Sequence, residues 1–69
     1  MAGEYFALYW QVGDEPQEKV EFLVCSEEDA VAAYAEKLLK VPNLKKIRLE
    51  ETNFYGEPYW TVESHTITD

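Results

Sequence analysis

Apolar and polar positions alternate with period two along most of this chain, and the one long interruption has helical spacing. Between Glu4 and Val12 the alternation places Phe6, Leu8, Trp10 and Val12 on one face and Tyr5, Ala7, Tyr9 and Gln11 on the other, which predicts a strand. Gly13-Asp14-Glu15-Pro16-Gln17 is turn chemistry. Alternation resumes from Lys19 to Cys25, with Val20, Phe22 and Val24 opposite Lys19, Glu21 and Leu23. The two runs predict a hairpin.

Ser26 followed by Glu27, Glu28 and Asp29 predicts a helix start, because a serine hydroxyl can accept from a free backbone N–H and carboxylates favour the positive end of the helix dipole. Ala30, Val31, Tyr34, Leu38 and Val41 recur at spacings of three and four and form one apolar stripe, and Glu36 and Lys40 form an i,i+4 pair on the wet side. Ala30, Ala32, Ala33 and Ala35 favour the helix intrinsically and permit close approach to a sheet. The helix is expected to run to about Val41 and to stop at Pro42-Asn43, because proline lacks a backbone donor and restricts the residue before it.

Lys45 to Glu51 alternates again, with Ile47 and Leu49 inward, and Tyr59 to Ile67 predicts a fourth strand with Trp60 and Val62 inward. Thr52-Asn53-Phe54-Tyr55-Gly56-Glu57-Pro58 links them, with Gly56 suited to a positive φ and Pro58 to a strand start or edge. The expected fold is α+β, ββαββ, with one helix packed on a four-stranded antiparallel sheet. The helix returns the chain so that the second and third strands run the same way, and an all-antiparallel sheet then keeps them apart. The first strand is apolar on both faces and lacks proline, so it belongs in the interior. That selects the spatial order 2-1-3-4.

Composition sets the scale of the core. A chain of 69 residues has room for one domain, spanning 1–69, and buries only about 60% of its unfolded surface. Cys25 is the single cysteine, so no disulfide within the chain can supplement that core, and with one histidine it cannot complete a structural zinc site. Two tryptophans, three phenylalanines and five tyrosines supply large apolar area instead. No repeat, low-complexity tract or flexible linker divides the chain.

The formal net charge of −8 argues against a phosphate-backbone binder, and nucleic acid is therefore not the expected partner. Five of the six basic residues, Lys37, Lys40, Lys45, Lys46 and Arg48, fall in one acid-free stretch and make the surface dipolar. Met1-Ala2-Gly3-Glu4 lacks the basic start and apolar run of a secretory signal, and no apolar run approaches the ~20 residues needed to span a bilayer. A cytoplasmic protein with no membrane association is expected.

Candidate chemistry is sparse. Cys25 and His65 lie at remote points of the pattern, and the thiol reads as inert. Consecutive helical carboxylates at Glu27, Glu28 and Asp29 point about 100° apart and cannot converge on a metal ion. The three glycines are too widely separated for a phosphate loop. No cofactor, metal or catalytic residue is expected, and the chain reads as non-enzymatic.

With the helix on one face, the opposite face is expected to display Tyr5, Ala7, Tyr9, Leu23, Lys46, Arg48, Glu50, Tyr59, Thr61 and Glu63. Tyrosine and arginine together are the composition of protein interfaces. Tyr5, Tyr9, Leu23, Lys46, Arg48, Tyr59 and Thr61 are the candidate partner-binding residues, and in the order 2-1-3-4 the tyrosines lie where they can stack with Lys46 and Arg48. The same tyrosines also suit a strand by propensity alone. Three function classes follow: a protein-interaction module, either a homodimer or a small subunit or inhibitor docking a larger protein; an acidic nucleic-acid mimic or host-takeover inhibitor from a mobile element; and a sheet-face binder of a small ligand or single-stranded nucleic acid.

Overall fold

The computed structural model describes residues 4–67; Met1-Ala2-Gly3, read above against a secretory signal, lies outside them. Strand β1 (Tyr5–Val12) and strand β2 (Lys19–Val24) form the expected hairpin. Helix α1 (Glu27–Lys40) follows, then strands β3 (Leu44–Thr52) and β4 (Pro58–Thr66). All pairings are antiparallel and the sheet order is β2-β1-β3-β4, as the pattern predicts.

The helix ends are fixed by the residues that foretell them. The Ser26 hydroxyl accepts from the Asp29 backbone N–H at 3.2 Å, and Ser26 itself is extended, with φ −71° and ψ 161°. At the other end the Val41 N–H donates to the Lys37 carbonyl, and Asn43 takes a left-handed φ of 61°, a conformation asparagine tolerates better than most side chains. This turn is fastened to the hairpin loop: the Gly13 N–H donates to the Asn43 carbonyl at 2.8 Å, and the Asn43 amide donates to Asp14 at 3.0 Å.

The core lies between the helix and the middle of the sheet. Phe6, Leu8, Ala30, Tyr34, Leu44, Ile47 and Leu49 are buried together, with Trp10, Leu23, Val31, Leu38, Val41 and Val62 packed partly against them. Ala30 is fully covered, so a small side chain on the helix allows the close approach its alanine content suggests. Tyr34 is buried as well, and its hydroxyl titrates above the ordinary tyrosine value because of burial first and the nearby Glu63 carboxylate second. Trp60 departs from expectation. It is more exposed than buried, and its indole N–H donates to the Glu51 carboxylate at 2.8 Å.

Two other expectations are corrected by register. Phe6 pairs with Leu23, Leu8 with Glu21 and Trp10 with Lys19, so Leu23 faces the helix while Val20, Phe22 and Val24 face away from it. Directly paired residues of antiparallel strands share a face, and a shift of one residue exchanges the faces of a whole strand. Of the two charges brought to the helix side, Lys19 pairs with Glu15 of the hairpin loop at 3.2 Å and Glu21 with a lysine of the helix. Lys37 lies 3.6 Å from Glu21 and its ammonium sits 4.2 Å from the centroid of the Trp10 ring. In β4, the pairing steps from Leu49↔Glu63 to Glu50↔Thr61, leaving Val62 as a bulge residue, and this turns Glu63 to the helix side and away from the open face.

Candidate interaction face

The face of the sheet away from the helix carries two distinct surfaces. Across its middle, Tyr9, Arg48 and Ser64 lie side by side on β1, β3 and β4. The Arg48 guanidinium stacks on Tyr9, 3.9 Å from the ring centroid, and donates to Glu50 at 2.9 Å and to Glu18 at 2.6 Å. Burial disfavours the charge on Arg48, but the Glu50 hydrogen bond and the Glu18 and Glu50 charges more than offset it and raise its pKa. Two carboxylates each take a hydrogen bond from this side chain and a ring covers one of its faces. It is therefore a structural clamp joining the hairpin loop, β1 and β3.

At the other surface, the apolar side chains are open. Val20, Phe22 and Val24 of β2 are 44%, 62% and 77% exposed. The loop between β3 and β4 folds toward them: the Tyr5 and Phe54 rings meet edge to face at 5.6 Å, the Phe54 and Tyr55 rings at 5.4 Å, and a Cβ on Gly56 would stand 3.3 Å from the Phe22 ring. Between them lies a cleft of about 260 Å³ lined by Tyr5, Phe22, Val24, Phe54 and Tyr55, among others.

Asn53 holds this loop in shape. Its side-chain oxygen accepts from the Tyr55 N–H at 2.8 Å and the Glu57 N–H at 3.0 Å, and its amide donates to the Glu57 carboxylate at 2.8 Å. The backbone closes twice more, from Asn53 N–H to the Glu57 carbonyl and from Gly56 N–H to the Asn53 carbonyl, both 3.0 Å. Gly56 takes φ 87°, the positive value its sequence context suggests. Phe54 and Tyr55 are thus largely exposed on a segment already ordered by five hydrogen bonds.

Of the seven candidate residues, Tyr9, Lys46, Arg48 and Thr61 share the open face by register, and Tyr5 joins the aromatic cluster at the edge of the cleft. Tyr59 is the extra residue of a second bulge, between Glu51↔Trp60 and Thr52↔Pro58, and lines a recess of about 220 Å³ with Glu4, Tyr5 and Phe54. Leu23 is on the helix side, as described above. The sequence reading missed Phe22, Val24, Phe54 and Tyr55. Adjacent aromatics between Asn53 and Gly56 were the available signal, since a turn gives large side chains no core to enter.

The thiol of Cys25 is partly covered, and burial first and the Asp29 carboxylate second push its pKa up, opposite to the shift a helix N-terminus alone would give. Among the described residues no group of three or more His, Cys, Asp or Glu is placed to hold a metal ion, and no helix is long and apolar enough to cross a membrane. No protein-family model, no curated protein and no solved structure matches the chain.

Proposed function

We propose that this chain is a non-enzymatic protein-interaction module that docks a protein partner through the open side of its sheet. The observation that carries this reading is the continuous run of exposed apolar and aromatic side chains from Val20, Phe22 and Val24 across Tyr5 to Phe54 and Tyr55. Exposed apolar patches of this kind mark contact surfaces, and aromatics held in place before binding lose little conformational freedom on association. Binding of single-stranded nucleic acid to the same face has weaker support, because Arg48, the cation beside Tyr9, already holds two carboxylates.

A photo-crosslinking residue placed at Tyr55, with Glu36 on the outer side of the helix as control, tests the reading in cells. A discrete protein adduct at Tyr55 and none at Glu36 is the expected result. Adducts at both positions alike, or at Glu36 only, would set the reading aside.

A further inference from the structure

β2 is an edge strand, and among the described residues no strand pairs with its outer side. The Cys25 N–H donates to the Glu4 carbonyl at 3.0 Å, which by the alternation of antiparallel pairing commits the backbone groups of Leu23, Glu21 and Lys19 to β1. The N–H and C=O groups of Val20, Phe22 and Val24 therefore point away from the sheet. Edge strands are ordinarily guarded by proline, a bulge or an uncompensated charge. Here the β1–β2 register runs without a shift, β2 contains no proline, and its two charges are neutralised by Glu15 at 3.2 Å from Lys19 and by Lys37 at 3.6 Å from Glu21. The three residues with outward-pointing backbone are also the three of β2 whose apolar side chains are exposed, and two of them, Phe22 and Val24, line the cleft.

Charge identifies what fits this edge. Glu27, Glu28 and Asp29 follow Val24 closely in the chain, and Glu4 lies across from Cys25 on the neighbouring strand. Lys19, Lys37, Lys40 and Arg48 are ion-paired elsewhere, and Lys46 pairs with Gln11 on the far side of β1. The Val24 end of the edge is thus anionic. A second copy of this chain fits poorly. Antiparallel self-pairing of β2 would bring Lys19 to the Val24 end, but that lysine is already held by Glu15. The same pairing carries Asp14 and Glu15 toward Glu27, Glu28 and Asp29 between molecules of net charge −8 each.

Resting on the reading above that the open side docks a protein, we propose that β2 accepts an extended segment of another protein as a fifth strand. That segment has apolar side chains at alternate positions, lying over Val20, Phe22 and Val24 and into the cleft, and Lys or Arg at the end beside Val24. Main-chain hydrogen bonds supply affinity in such strand addition, and alternate side chains supply specificity.

The test selects a displayed library of random short peptides on the intact protein, and then measures amide hydrogen exchange with the enriched peptides bound. Enriched sequences should alternate apolar residues and carry basic residues at one end. The amides of Val20, Phe22 and Val24 should exchange at least about tenfold more slowly in the complex, and N-methylation of one edge-facing peptide amide should weaken binding about tenfold. Added salt should weaken binding, and Phe22→Thr should reduce it while Leu39→Ser, on the exposed helix surface, should not.

Peptide binding that leaves those three amides unprotected overturns the fifth-strand proposal but leaves the interaction module standing, provided Tyr55 still crosslinks. A concentration-dependent dimer in which the same amides are protected without peptide makes the occupant a second copy and overturns the proposal as to its partner. No enriched peptide together with no adduct at Tyr55 removes both.

Discussion

The guanidinium of Arg48 lies over the ring of Tyr9, 3.9 Å from its centroid, while the two residues face each other across β1 and β3. Glu50, two residues along β3, and Glu18, from the end of the hairpin loop, complete a four-membered cluster in which one cation serves two carboxylates. The planar fork of arginine can hold both carboxylates and stack at once, which an ammonium cannot.

Arg48→Ala should destabilise the fold by about 1–2 kcal/mol, between the cost of an exposed pair and that of breaking a buried one, because Glu50 is mostly covered. Arg48→Lys should recover only part of this. A double-mutant cycle with Tyr9→Leu, read by urea denaturation, should give a coupling of about 0.5–1 kcal/mol, and a coupling near zero would show that the ring contact contributes nothing.

Asn53→Ala removes three side-chain hydrogen bonds from the aromatic loop and should cost about 2 kcal/mol in thermal or urea unfolding. Its more specific effect should be local: amide exchange at Tyr55 and Glu57 should accelerate while that of β1 and β3 follows only the global change. Gly56→Ala should destabilise by about 1 kcal/mol or more, since φ is 87° and the new methyl would press on the Phe22 ring.

Ser26→Ala should cost about 1 kcal/mol through loss of the helix cap, and Ser26→Asp should retain most of the stability. Equal losses for both variants in urea denaturation would show that the hydroxyl contributes by something other than accepting from Asp29.

Tyr34 holds its proton more tightly in the folded than in the unfolded chain, so in the window between the two pKa values the folded state binds more protons. Stability therefore falls as pH rises above the ordinary tyrosine value of about 10, and is unaffected by this group below it. Stability measured from pH 8 to 11 should decline less steeply in Tyr34→Phe than in the natural chain. The same slope in both proteins would exclude Tyr34 as a source of the decline.

The order of elements, the sheet order and both helix ends were legible in the sequence because each rests on local chemistry: alternation within a strand, Ser26 before three carboxylates, Pro42-Asn43 after the last helical turn, and Pro58 at a strand start. The stacking of a tyrosine with Arg48 was legible too, as a consequence of placing the first strand beside the third. Within β2, however, counting apolar residues favoured Val20, Phe22 and Val24 as the inner face. Register decided otherwise, because it depends on how the hairpin closes and on the pairing of Phe6 with Leu23, which no pattern inside six residues contains.

The bulge at Val62 reversed Glu63 for the same reason: an extra residue in one strand is invisible until its partner is known. The candidate interaction surface was therefore only half visible. Sequence determined which side chains are large, apolar and near a turn; tertiary structure alone decided that Phe22 and Val24 meet solvent beside Phe54 and Tyr55, because exposure is a property of what packs on a residue rather than of the residue itself.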